Sequence, residues 1–254
     1  MNDNDLINTA TEVGYMLLAN GAEIYRVEES MQRIFRAYSV EGGEIFAIPT
    51  CIYATVSTAD GRPITKIKRC HARCTNMDKV EKVNDLCRRV CRERPDFCVI
   101  RAELRRIDAR PTYTFLEQVM AFSLVAFAFT LFYGGTFSDA VCSVVCGAVI
   151  KVVAHQMDRF HANSFFTNIL ASGAGALVAL VAVHYNFGLN SDKIIIGALM
   201  NLVPGIAITS FMRDLIAGDL IAGLIRFTES FLVATAIAIG AGAALTVTRA
   251  IWGV

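Results

Sequence analysis

NLVPGIAITSFMRDLIAGD, residues 201–219, lies between two strongly apolar runs yet breaks the rules of a plain membrane helix. Pro204 removes a backbone donor and displaces the carbonyl one turn earlier, and Gly205 lets the chain leave helical geometry. Polar backbone freed in this way inside a bilayer is tolerated only where protein buries it or where it lines a wet cavity. Asn201, Thr209 and Ser210 supply donors and acceptors alongside, and Arg213, Asp214 and Asp219 follow at once. Transporters use interrupted helices of this kind to hold ligands near the bilayer centre; a proline kink repaired by neighbouring helices is the other reading.

Outward from this stretch, charge is spread unevenly. Of the chain's 254 residues 54% are hydrophobic, while 18 of its 24 Lys and Arg and 16 of its 23 Asp and Glu precede residue 113. A charged half and an apolar half predict a small cytoplasmic α+β domain, residues 1–112, and a transmembrane domain, residues 113–254. The formal net charge of +1 makes no case for nucleic-acid binding. The opening MNDNDLINTATEV is acidic and polar, unlike a secretory leader, so the first half is expected to stay where it is made.

Crossing about 30 Å of hydrocarbon takes about 20 mostly apolar residues as helix. Five such runs are expected, over residues 115–133, 138–156, 164–185, 192–211 and 220–252, the last too long for an untilted span. The fold class is therefore an α-helical integral membrane protein with about five transmembrane helices, preceded by the α+β domain. Lys and Arg near span ends mark the cytoplasmic side. The Arg-rich segment before Pro111, Arg159 with Lys151, and Arg213 alternate with the base-free turns at Gly134-Gly135 and NFGLNS, so the N-terminus is expected inside and the C-terminus outside, with Lys193 and Arg249 as exceptions. Gly173, Gly175, Gly197, Gly205, Gly240 and Gly242 permit close approach of helices in lipid.

The last run also carries Arg226 and Glu229, three apart and so on one helical face, with Thr228 and Ser230 beside them. An Arg at the bilayer centre costs about 2.5–3.5 kcal/mol on insertion scales, so at depth these charges imply a function. At the inner interface, Leu220–Phe227 would instead be an interfacial turn and the span would begin near Ser230.

In the first half, Leu6, Ala10, Val13 and Leu17, then Ile24, Val27, Met31 and Ile34, recur with helical spacing around ANGAE. EIFAIPT and CIYATVSTADGRPITKIK read as strands, with Asp60-Gly61 suited to a hairpin turn, and helical spacing returns at Val80–Val90 and Phe97–Ile107. Glu23, Arg26, Glu28, Glu29 and Arg33 read as a solvated helical face. Cys51, Cys70, Cys74, Cys87, Cys91 and Cys98 are expected as reduced thiols. The four-residue steps Cys70 to Cys74 and Cys87 to Cys91, beside His71, fit buried helical thiols better than the two-residue gaps common in zinc sites. No metal, cofactor or nucleotide loop is therefore expected.

GAEIYRVEESMQRI, PTCIYATVS and LVPGIAITSFMRDLIAGDLIAGLIRFTESF together resemble the threonine/serine exporter family, including split forms related to succinate export. The likeness covers nearly the whole chain and matches the first portion of the family's long members. It implies an inner-membrane secondary transporter for a small polar metabolite, a hydroxy amino acid or a dicarboxylate, driven by protons. A second membrane subunit is then expected to supply an inverted other half. In this reading Asn201, Pro204, Gly205, Thr209, Arg213 and Arg226 bind substrate, while Asp214 and Glu229 carry the proton. The alternative is a membrane-anchored sensor or assembly factor whose first domain binds a cytoplasmic ligand. A thiol hydrolase built on Cys51 or Cys70 with His71 is disfavoured, since neither cysteine sits on a nucleophile turn.

Overall fold

The computed structural model describes residues 3–40, 42–57, 61–71 and 73–252. The chain forms two compact units, Met1–Pro111 with Ile208–Phe227, and Thr112–Ala207 with Thr228–Val254. The first unit thus differs from a simple cut at residue 112 by taking in a segment from near the other end of the chain.

The first unit opens with α1 (Asp3–Ala19) and α2 (Ile24–Ala37). Leu6, Ala10, Val13 and Leu17 of α1 and Ile24, Val27, Met31 and Ile34 of α2 are all buried, as their spacing predicts. Gly14 carries no Cβ because the Met31 side chain fills that place, and Gly21 turns the chain between the helices at φ +92°. A three-stranded antiparallel meander follows: β1 (Glu44–Ile48), β2 (Cys51–Ser57) and β3 (Pro63–Arg69), in the order β1-β2-β3. The β2–β3 hairpin is paired from Cys51↔Arg69 to Ser57↔Pro63, whereas Asp60 of the expected turn lies outside the described residues. Ile52, Ala54 and Val56 point into the core and Tyr53 outward, the period of two expected of a half-buried strand.

Two further helices close this core. In α3 (Met77–Glu93), Asn76 caps the first turn by accepting from the Lys79 N–H at 3.1 Å, and Arg94 ends the helix in the left-handed region at φ 48°. Pro95 follows, and α4 (Phe97–Asp108) buries Ile100, Leu104 and Ile107.

The second unit is helical. It holds α5 (Phe115–Phe132), α6 (Phe137–Arg159), α7 (Ser164–His184) and α8 (Ser191–Leu199). It also takes the start of α9 (Gly205–Ala217) and α10 (Leu220–Trp252) from Thr228 onward. Capping boxes start α5 (Thr114 with Glu117) and α6 (Thr136 with Asp139). Helices approach through small residues: a Cβ on Gly147 would meet the Phe122 carbonyl oxygen at 2.6 Å, and one on Gly173 would meet that of Gly240 at 3.2 Å. Gly175 and Gly197 are crowded too, by Ile150 and Thr130, while Gly205 and Gly242 face open space and have no such packing role.

Four helices, α5, α6, α7 and α10, are long and apolar enough to cross a membrane. The stretch expected as a fourth span, residues 192–211, is instead two short helices with a break at residues 200–204. Pro204 has no N–H to continue α8 and stands immediately before α9, which accounts for the break. The excess length of α10 has a cause as well. Its first eight residues, Leu220–Phe227, belong to the first unit, and the remainder is about 37 Å long at 1.5 Å per residue, close to a tilted crossing.

Candidate functional site

In the first unit the end of α9 and the start of α10 form a helical hairpin. Gly218, at φ +96°, closes α9, and the Asp219 N–H donates to the Asp214 carbonyl oxygen at 2.9 Å. The two helices approach closely because Gly223 leaves room for Leu215, and Phe211 meets the Phe227 ring edge to face at 5.4 Å. This hairpin sets Asp214 against Arg226, with Nη1 and Oδ2 3.5 Å apart.

Both groups are shielded from solvent, Asp214 fully and Arg226 to 8% exposure. The Arg226 Nη2 donates to the carbonyl oxygen of Ala22, in the turn between α1 and α2, at 2.9 Å. One residue on, Glu23 pairs with Arg213 through one carboxylate oxygen and holds the Arg26 Nε at 2.9 Å through the other. Neither oxygen of Asp214 accepts a hydrogen bond among the described residues. A buried carboxylate with one long ion contact is poorly compensated. Asp214 lies outside the four long apolar helices.

At the break in the second unit, the Asn201 side chain donates to the carbonyl oxygens of Phe122 at 3.0 Å and Ala198 at 3.1 Å. It satisfies the backbone of α5 and of the last turn of α8. The Leu202 N–H donates to Leu199, and the Gly205 N–H to Val203, both at 2.9 Å.

The expected site residues therefore divide. Thr209, Arg213, Asp214 and Arg226 belong to the first unit; Asn201, Pro204, Gly205 and Glu229 belong to the second. Arg213, Asp214 and Arg226 come together around Ala22 and Glu23. Arg226 is buried and Glu229 exposed, and Asp214 is a carboxylate beside Arg226 at 3.5 Å. The solvated face expected of α2 is present at Glu29 and Arg33 and in part at Arg26, whereas Glu23 and Glu28 are drawn into contacts of their own. Glu28 accepts from the Ala47 N–H at 2.7 Å, and burial raises its pKa. No local pattern marks Glu23, since its Arg213 partner is 190 positions away.

The model of the ThrE threonine/serine exporter family matches residues 8–248. The chain belongs to that family. Its match runs through the α/β unit, the interrupted helix and the Arg226 hairpin alike, as the resemblance of the three motifs implied. Among characterised proteins it is similar to the "Probable succinate transporter subunit YjjP" of Escherichia coli (strain K12), with 23% identity over 243 residues, covering 95% of this chain and 93% of the relative. No solved structure gives a significant match. Family and apolar helices together make this a membrane protein of an exporter family.

Proposed function

We propose that this chain is one subunit of a proton-coupled inner-membrane exporter for a small carboxylate-bearing metabolite, a hydroxy amino acid of the threonine/serine type or a dicarboxylate such as succinate. The observation that carries the reading is the buried Arg226–Asp214 pair at 3.5 Å, in which neither Asp214 oxygen accepts a hydrogen bond among the described residues. With Asp214 ionised, Arg226 is balanced inside the protein. A proton on Asp214 cancels its charge and leaves the guanidinium to seek another anion, for which a substrate carboxylate is the natural partner. Release of the proton then reverses the exchange, so that proton and substrate carboxylate alternate on one cation.

Arg213 gathers the same class of anion, with Glu23 as its resting partner, and Thr209 adds a hydroxyl on the same helix. Asn201 and the backbone around Pro204 and Gly205 supply hydrogen bonds in the second unit, and Glu229 is a further proton carrier on α10. The first domain is cytoplasmic in this reading, about five membrane segments include the interrupted α8–α9 stretch, and the protein is not an enzyme. A second membrane subunit completes the path; the relative's description as a subunit supports this.

Efflux of labelled serine, threonine and succinate from cells expressing the chain, with and without a candidate partner, tests the reading. Arg226→Ala abolishes efflux in it, and Asp214→Asn removes the response to an imposed pH gradient while substrate exchange continues. Normal efflux by Arg226→Ala at normal membrane levels refutes the carboxylate role, and full transport by this chain reconstituted alone refutes the second subunit.

A further inference from the structure

We infer that the cleft between α2 and α3 is a binding site for a small polyanion, a metabolite bearing several carboxylate or phosphate groups, and that it lies apart from the Arg226–Asp214 pair, meeting the export site only at Arg26, which lines the cleft and pairs with Glu23. The cleft has a volume of about 680 Å³, within the range of small-molecule sites. Its origin lies in the two apolar stripes that pack into the core. With Val27, Met31 and Ile34 buried on α2 and Val83, Leu86 and Val90 on α3, the flanking positions Ser30, Arg33, Arg36, Asn84 and Arg88 line the groove.

Its charge is one-sided. Four arginines line the cleft against a single carboxylate, Glu29. Arg33 holds Glu29 at 2.6 Å and Arg88 holds Asp85 at 3.0 Å, but both pairs are exposed, and exposed pairs are weak competitors for a multivalent anion. Arg36 is exposed and has no carboxylate partner among the described residues. The Cys87 thiol beside the groove is pushed up to about 12 by burial, so it adds no negative charge at neutral pH. On the other side of α3 a second groove, sharing Arg88, gathers Lys82, Arg89, Arg92, Arg106 and Arg110 against Asp85 and Glu103. In a chain of net charge +1 this is a local concentration of cations, and concave cationic surfaces draw in anions.

Two helices thus offer guanidinium groups from opposite walls, with a hydroxyl and an amide between them. Guanidinium forks match carboxylate and phosphate oxygens in pairs, and a ligand with two or more such groups can bridge the walls where a single carboxylate cannot.

The test uses the full-length protein in nanodiscs of zwitterionic phosphatidylcholine, titrated calorimetrically with citrate and with inorganic pyrophosphate. Saturable binding of either is expected, and which of them binds names carboxylate or phosphate as the preferred group. The double variant Arg33→Ala, Arg36→Ala weakens it about tenfold or more. Arg105→Ala, which removes an exposed base of α4 outside the groove, leaves affinity unchanged. Both altered arginines are exposed, so the double variant should fold, and an unchanged melting temperature without ligand confirms it. Absence of saturable binding by both anions overturns the inference, and so does equal weakening by Arg105→Ala. Binding is read without transport, so a failed export assay leaves this result standing.

Discussion

Leu17, in the last turn of α1, and Leu124, in the middle of α5, stand on α-helices of similar length, yet Leu17 is wholly buried and Leu124 is 67% exposed. The difference separates the two units. In the first, long side chains such as Leu6, Phe35 and Ile52 fill a core between helices and sheet. In the second, small residues such as Ala126, Cys146, Ala171, Ala176 and Ala179 make up much of the core beside Ile150 and Ile194, and many large side chains, Leu124 among them, are exposed. Hydrophobic burial has no purchase between helices whose surroundings are themselves apolar, so close backbone approach replaces it. The buried ion pair Arg226–Asp214 is enclosed by the first unit although Arg226 stands on a long apolar helix.

Four measurements sharpen this contrast, and the largest effect is expected at that pair. Asp214→Ala leaves Arg226 buried without its carboxylate and should cost about 3–5 kcal/mol of stability, read as a lowered melting temperature in detergent. A loss no larger than that of an exposed pair such as Arg33–Glu29 would mean that water reaches the site. Next comes the leucine comparison itself. Leu17→Ala should cost about 2–5 kcal/mol, whereas Leu124→Ala in the membrane-embedded protein should cost under about 0.5 kcal/mol; equal losses would erase the distinction between the units.

Gly147→Val probes the small-residue packing of the second unit. Its side chain would meet the Phe122 carbonyl and Ala126, so a loss of about 1–3 kcal/mol is expected from overpacking, and full stability would show that α5 and α6 can separate freely. The smallest effect concerns pH. Burial, reinforced by Asp219 and opposed by the Ala47 N–H, raises the Glu28 pKa from its ordinary 4.5. The folded state therefore holds this proton more tightly than the unfolded chain. Its contribution to stability is complete below pH 4.5 and is lost as pH rises through the raised value. Glu28→Gln should flatten the melting temperature in that mildly acidic window, and an unchanged slope there would exclude Glu28 as its source.

Much of this architecture is legible along the chain. The i, i+3, i+4 pattern of α1 and α2, the alternation of β2 and the interruption at Pro204 each arise from neighbours within one or two turns, where side-chain direction and proline chemistry act locally. Long-range pairing is not legible in that way. Glu229, three positions from Arg226, is visible in the local spacing, whereas the approach of Asp214, 12 positions earlier, comes only from the α9–α10 hairpin. Glu28 looked like one more charge on a solvated helix until the sheet brought the Ala47 N–H to it.

The order of amino acids by itself determined where helices and strands form, where the long apolar helices lie and where one of them must break, because those outcomes depend on period, length and backbone chemistry. Tertiary structure alone decided which charges meet and which are sealed from water. Glu23 and Arg213, or Ala22 and Arg226, become neighbours only when the chain folds back on itself, and a charge separated by some two hundred residues leaves no trace in the local pattern that its partner obeys.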